Sequence, residues 1–155
     1  MRRLLMAIVG VVCAGLSAAP VARADDSSMQ ARVDAVLASF PGGVQTGANT
    51  VEWDGGSVEL TLAPEGLSPF AVGSCATGKY CVYNGVSLTG SKLFFSACNT
   101  TSSTSAIGTV RSMANARSSG TVQGLSALGA VLTTVSAGGQ VNSAPTGIEK
   151  VRCNS

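Results

Sequence analysis

Four cysteines are the residues of this chain with the clearest potential for chemistry: Cys75, Cys81, Cys98 and Cys153. A redox pair would need the C-x-x-C spacing, whereas five residues separate Cys75 from Cys81. A zinc site built from cysteines alone would lack ligands, because the chain contains no histidine. Structural disulfides are the better interpretation. Three pairings can be drawn on paper, and we expect Cys75–Cys81 and Cys98–Cys153.

The absence of histidine also removes the commonest general base and the Ser-His-Asp triad. The clustered carboxylates that remain are Glu52, Asp54 and Glu59. Two carboxylates could hydrolyse a glycoside at a suitable separation. On the predicted hairpin, however, Glu52 and Glu59 face outward, with no pocket to raise the pKa of either. We therefore expect a solvated strand edge, no enzyme, no metal and no cofactor.

The N-terminus has the pattern of a secretory signal peptide. Arg2 and Arg3 precede an apolar run over residues 4–16, and Ala22-Arg23-Ala24 supplies an A-x-A cleavage pattern. The apolar run is too short to span about 30 Å of hydrocarbon. The sequence predicts a signal peptide over residues 1–24, cleaved after Ala24, and a secreted chain with no membrane attachment. An even number of cysteines in the remaining chain suits an oxidising compartment.

Charge is unevenly distributed along the remaining chain. Residues 25–65 hold seven acidic residues and one basic residue, whereas residues 66–155 hold six basic residues and one acidic residue. The basic residues are scattered, and a nucleic-acid surface needs them clustered in a stripe. We therefore expect no nucleic-acid partner, and we expect a monomer.

The segment 25–74 is predicted to hold a helix, a β-hairpin and a linker. In residues 27–40 the apolar side chains of Val33, Val36, Leu37 and Phe40 recur at helical spacing, and Pro41 ends the pattern. Residues 49–64 alternate apolar and polar side chains around an Asp54-Gly55-Gly56 turn, which predicts the hairpin. Residues 63–74 are rich in proline and glycine and are predicted to be the linker. Phe40 and Trp53 are expected in the core, although an exposed pair would mark a partner site.

Residues 75–155 are predicted to form a separate β domain with an internal repeat. A shift of 39 residues aligns residues 83–96 with residues 122–135 and matches Gly85 with Gly124, Gly90 with Gly129, and Leu93 with Leu132. Each unit would be a Greek key of four short strands, and two units would form a sandwich around one core.

The chain carries the pattern Cys75-x5-Cys81-Val82-Tyr83, then Gly90, Leu93-Phe94-Phe95, Cys98 and a final Cys153. This pattern resembles a secreted actinobacterial peptidase-inhibitor family. This family is typified by a streptomycete metalloproteinase inhibitor. The resemblance implies a βγ-crystallin-like fold with a double Greek-key sandwich. This chain departs from the pattern by one extra residue between the first two cysteines and by the lack of a proline there.

The resemblance also implies a function. The expected protein is a secreted inhibitor of an extracellular peptidase, with metallopeptidases as the candidate class, and it would act through a rigid surface loop. The candidate recognition loop comprises Ala76, Thr77, Gly78, Lys79 and Tyr80, because the Cys75–Cys81 staple would hold it in one conformation and rigidity lowers the cost of binding. The alternative is a secreted, non-enzymatic binding or structural module with an unknown partner.

Overall fold

The computed structural model describes residues 24–65 and 75–155. The predicted signal peptide over residues 1–24 lies outside the described residues except for its last position, and so does most of the predicted linker. The described chain is mostly β, with one helix and two antiparallel sheets. No helix in the described ranges is long and apolar enough to cross a membrane.

The N-terminal part holds the helix α1 (Ala24–Ser39) and the strands β1 (Val44–Gly47), β2 (Thr50–Trp53) and β3 (Val58–Thr61). Pro41 and Gly42 follow the helix, and the positive φ of Gly42 (86°) turns the chain away from it. The β2–β3 hairpin has the predicted turn at residues 54–56, and its inward-facing Val51 and Leu60 are fully buried. The predicted helix and hairpin are therefore both present.

Residues 75–155 form eight strands, and their bounds are β4 (Tyr80–Tyr83), β5 (Lys92–Phe95), β6 (Thr101–Ser103), β7 (Ser112–Asn115), β8 (Thr121–Leu125), β9 (Val131–Ser136), β10 (Gln140–Val141) and β11 (Lys150–Asn154). The larger sheet has the order β1-β2-β3-β5-β4-β7-β10, and the smaller one has the order β6-β11-β8-β9. The N-terminal hairpin is continuous with the larger sheet, because β3 pairs with β5.

Two units of four strands share the two sheets in the same way. In the first unit, β4 and β5 form a hairpin, β6 lies in the other sheet, and β7 returns to pair with β4. In the second unit, β8 and β9 form a hairpin, β10 pairs with β7 in the larger sheet, and β11 returns to pair with β8. Each unit therefore supplies its third strand to the sheet of the other.

The main core lies between the two sheets and beneath α1. The larger sheet contributes Tyr80, Val82, Leu93 and Phe95, and the smaller one contributes Val122, Val135, Val151 and Cys153. From α1, Val33 is fully buried in the same core, with Val36 and Leu37 packed around it. The helix is stabilised by this apolar contact with the sheet, since a helix of its length is marginal alone.

Candidate recognition loop

The disulfide Cys75–Cys81 holds the loop that precedes β4. Its two Cα atoms lie 5.7 Å apart. Cys81 is the second residue of β4 and is buried on the outer face of the larger sheet, with Tyr83 and Ala114. The second disulfide, Cys98–Cys153, joins two residues that are 55 positions apart in sequence and has a Cα–Cα distance of 4.7 Å. The structure thus has both expected pairings.

Backbone hydrogen bonds fix the loop further. Within it, the N–H of Lys79 donates to the carbonyl of Ala76 at 3.0 Å, and Gly78 has a positive φ of 81° that closes this turn. The N–H of Gly78 donates to the carbonyl of Ala116, and the N–H of Ala116 donates to the carbonyl of Lys79, both at 2.9 Å. The loop is consequently joined to the segment after β7 as well as to Cys81.

Arg117 braces the same loop, a role that the sequence analysis did not assign. Its Nη1 donates to the carbonyls of Gly78 at 3.3 Å and Ser96 at 3.4 Å. Its backbone N–H donates to Oδ1 of the buried Asn115. The available sequence signal is an arginine two residues after β7, and this signal does not reveal which carbonyls the arginine reaches.

The exposed part of the loop is small. Ala76, Thr77 and Gly78 are exposed, and a side chain placed at Gly78 would meet open space. Lys79 is half-buried because its side chain lies across the outer face of the sheet, with Nζ 5.5 Å from the centroid of the Phe94 ring. The surface that can contact a partner without rearrangement is therefore mainly backbone and the Thr77 side chain.

Tyr80 does not belong to this surface, and its assignment as a contact residue needs correction. It begins β4 with its side chain directed into the sandwich, where it is fully buried. Its ring stacks on Phe95 with centroids 5.2 Å apart, and its hydroxyl donates to the carbonyl of Ala97 at 3.0 Å. Burial raises the pKa of Tyr80. We keep the name recognition loop for residues 76–79.

A second tight loop, which the sequence analysis missed, connects β8 and β9. This leucine loop (residues 126–130) carries Leu128, whose side chain is 98% exposed. The N–H of Ser126 donates to the carbonyl of Ala130 at 2.9 Å, and the N–H of Ala130 donates back to Oγ of Ser126 at 3.1 Å. Nζ of Lys150 donates to the carbonyl of Ala127 at 2.8 Å. A single exposed leucine is common in proteins, but here the backbone that presents it is held at three points.

The carboxylates do not form a site. Glu52 and Glu59 are direct cross-strand partners on β2 and β3, and each is half-exposed. The Thr46 hydroxyl donates to Glu52 and the Thr61 hydroxyl donates to Glu59, at 3.2 and 3.1 Å. Within residues 24–65 and 75–155, no group of three or more His, Cys, Asp or Glu could hold a metal ion.

Residues 68–125 match the model of peptidase inhibitor family I36. The matched segment spans the first four-strand unit, the recognition loop and β8, and it supports the resemblance to a peptidase-inhibitor family. The match covers 58 of the 155 residues of the chain. Together with the two disulfides it fits an extracellular protein. No curated protein and no solved structure matches this chain.

Proposed function

We propose that the protein is a secreted inhibitor of an extracellular peptidase, with metallopeptidases as the first class to test, and that it acts through a rigid surface loop. The family match over residues 68–125 is the observation that carries the inhibitor assignment. The signal-peptide pattern of residues 1–24 and the two disulfides support export. We also propose that it acts as a monomer.

The loop mechanism is supported by preorganisation. A loop that is already in its bound conformation loses little entropy on binding, and a rigid loop in a peptidase cleft resists the distortion that cleavage requires. The recognition loop is restrained by one disulfide, two backbone hydrogen bonds to Ala116 and the Arg117 contact to Gly78. These restraints act on both sides of its exposed residues.

The leucine loop is the second candidate contact, and one observation favours it. A peptidase specificity pocket is filled by a side chain, and the exposed side chains of the recognition loop are small, whereas Leu128 projects a large apolar group into solvent. Both loops fit the same proposed mechanism, so variants in each loop will show which one enters the cleft.

We further propose that the sandwich is a crystallin-like double Greek key. The proposal is supported by the exchange of third strands, since β6 pairs with β11 and β10 pairs with β7. It is also supported by the positive φ angles of Gly90 (76°) and Gly129 (85°), which lie in the β4–β5 and β8–β9 connections. This arrangement leaves both loops on connections at strand ends, where substitutions are tolerated and function is often found.

The decisive experiment incubates residues 25–155, refolded under oxidising conditions, with a thermolysin-like, a subtilisin-like and a trypsin-like peptidase. We expect stoichiometric loss of peptide hydrolysis for at least one class. Failure to inhibit any of the three at micromolar excess would refute the inhibitor proposal and favour the alternative, a secreted binding module.

Loop variants then locate the contact. We expect either the double variant Thr77→Ala/Lys79→Ala or the variant Leu128→Ser to raise the inhibition constant at least about tenfold, which corresponds to about 1.4 kcal/mol of binding free energy. Thr146→Ala is the control for the recognition loop, because Thr146 is exposed and lines one cavity with Arg111, at the opposite end of β7 from that loop. Unchanged inhibition by both loop variants would contradict the loop mechanism while leaving the inhibitor assignment in place.

A further inference from the structure

A groove of about 540 Å³ opens between the end of α1 and strand β6. Its floor is formed by Trp53, Val58 and Phe95, which come from three adjacent strands of the larger sheet. These three residues are consecutive cross-strand partners, since Trp53 pairs with Val58 and Val58 pairs with Phe95. The floor is therefore one continuous apolar row on the inner face of that sheet.

The aromatic part of the floor is preformed. The indole N–H of Trp53 donates to the carbonyl of Phe40 at 3.1 Å, which fixes the plane of the indole against the chain that leaves α1. Phe95 is held from behind by the stacked ring of Tyr80. Phe40 and Trp53 are both half-buried and both line the groove, so part of each aromatic surface is open to a ligand. Preformed apolar pockets with a few polar groups are typical binding sites.

The opposite wall is a strand whose outer edge pairs with no other strand within residues 24–65 and 75–155. β6 pairs with β11 on one side and is the last strand of the smaller sheet. The N–H of Thr104 donates to the carbonyl of Glu149 on the β11 side. Because hydrogen-bonded positions alternate in an antiparallel pair, the backbone groups of Ser102 point toward β11 and those of Thr101 and Ser103 point away from it. Both Thr101 and Ser103 are exposed and line the groove.

The groove occupies the position of a missing strand. The larger sheet continues past β5 through β3, β2 and β1, whereas the smaller sheet stops at β6. The helix α1 covers β2, so the space between α1 and β6 lies above β3 and β5. We propose that this groove binds an extended segment of a partner polypeptide, which pairs with the free edge of β6 as a fifth strand and places an apolar side chain on the Trp53–Phe95 floor.

The charge at the groove indicates which peptides would bind there. Asp54 stands at the rim, and none of the described residues that line the groove is a lysine or an arginine. No ion pair to Asp54 is found among the residues that the structure describes. A segment that carries a lysine or arginine as well as an apolar residue therefore fits the groove, and an acidic segment does not. The hydroxyl-rich wall would also suit a saccharide, which the test below distinguishes.

The test uses capped peptides of the form acetyl-Thr-Xaa-Thr-Val-Thr-Lys-amide, in which the second residue is Ala, Val, Leu or Phe. Binding is followed by the backbone amide shifts of the ¹⁵N-labelled protein, with no peptidase present, so the result is independent of the inhibitor proposal. We expect saturable shifts of the Thr101 and Ser103 amides, with the Phe peptide bound about tenfold more tightly than the Ala peptide because it buries more apolar area. No saturable shift with any of the four peptides would overturn the proposal.

Two controls test the backbone pairing directly. A peptide N-methylated at alternate residues cannot donate to the strand edge, and we expect it not to bind. Ser103→Pro removes the outward N–H, whereas Ser103→Ala loses the same hydroxyl and keeps the N–H, so only the proline variant should lose binding. Equal binding by the methylated peptide, or saturable binding of a chitin trisaccharide at these amides without peptide binding, would refute strand addition.

Asp54→Asn tests the charge preference without disturbing the backbone. Asp54 has a positive φ of 51°, a conformation that asparagine also adopts readily. We expect this variant to bind the lysine-ended peptide more weakly and a glutamine-ended analogue with unchanged affinity. Equal weakening for both peptides would contradict the charge argument.

Discussion

The two disulfides are expected to have separable effects, and removing each in turn tests the role of the recognition loop. We consider the double variants Cys75→Ala/Cys81→Ala and Cys98→Ala/Cys153→Ala, which lose the same number of sulfur atoms. The sequence separations are 6 and 55 residues. In the chain-entropy model the first bridge contributes about 2 kcal/mol to the free energy of unfolding and the second about 4 kcal/mol.

For the inhibition constant, loss of the Cys75–Cys81 bond should have the larger effect, which is the reverse of the order expected for the free energy of unfolding. Without the Cys75–Cys81 bond, residues 76–79 keep their hydrogen bonds but lose a covalent restraint, and ordering even one residue on binding costs about 1–2 kcal/mol. If these residues enter the peptidase cleft, the inhibition constant should rise about tenfold or more. The Cys98–Cys153 bond does not close the recognition loop, so its loss should change the inhibition constant of the folded protein less than loss of Cys75–Cys81 does.

Stability is measured by guanidinium unfolding followed through the fluorescence of Trp53, the only tryptophan of the chain. Inhibition is measured against the peptidase class that the wild-type protein inhibits. Leu128→Ser is included in the same assay. Full inhibition by folded Cys75→Ala/Cys81→Ala would refute the preorganised recognition loop, and a loss confined to Leu128→Ser would move the contact to the leucine loop.

Two further predictions concern stability. Burial raises the pKa of Tyr83 to about 12. Between pH 10 and 12 the folded state therefore keeps the phenol proton, whereas the unfolded chain loses it. The free energy of unfolding should fall by about 2–3 kcal/mol over this pH range. Tyr83→Phe should remove this part of the fall, measured by guanidinium unfolding from pH 8 upward, and leave the part due to Tyr80, whose pKa burial also raises; an unchanged slope would contradict it. Gly124→Ala should lower the free energy of unfolding by about 1–3 kcal/mol, because the added Cβ would lie 2.8 Å from Cδ1 of Ile148. The measurement is guanidinium unfolding at pH 7, and wild-type stability would contradict the crowding argument.

The helix and the first hairpin could be predicted because their signals are local. Val33, Val36 and Leu37 recur at helical spacing, and all three pack against the core. Strands β1 and β6 lack such a signal. β1 carries the 62% exposed Val44, and β6 consists of Thr101, Ser102 and Ser103, so neither shows an apolar alternation. They are strands because β1 pairs with β2 and β6 pairs with β11. The local sequence of β1 and β6 does not indicate these partners.

The internal repeat predicted turns better than side-chain directions. Gly90 and Gly129 both adopt positive φ angles, as equivalent turn positions should. Leu93 and Leu132 were matched in the same way, yet Leu93 is fully buried and Leu132 is 37% exposed. The pairing of β8 with β9 is irregular at Gly124/Leu125. A shift of one residue reverses the face of every following side chain, so a sequence match can be correct in turn position and still misplace a leucine.

Cross-strand pairing accounts for both the inward direction of Tyr80 and the position of the groove. Trp53, Val58, Phe95, Tyr80 and Asn115 form one unbroken cross-strand row over five strands. The row is assembled from segments far apart in sequence, so the inward direction of Tyr80 is set by its partners and not by the cysteines beside it. Tyr80 directly follows the recognition loop, and the groove lies over Trp53 to Phe95, so both proposed contacts lie toward the same ends of these strands, the loop on the outer face of the larger sheet and the groove on its inner face.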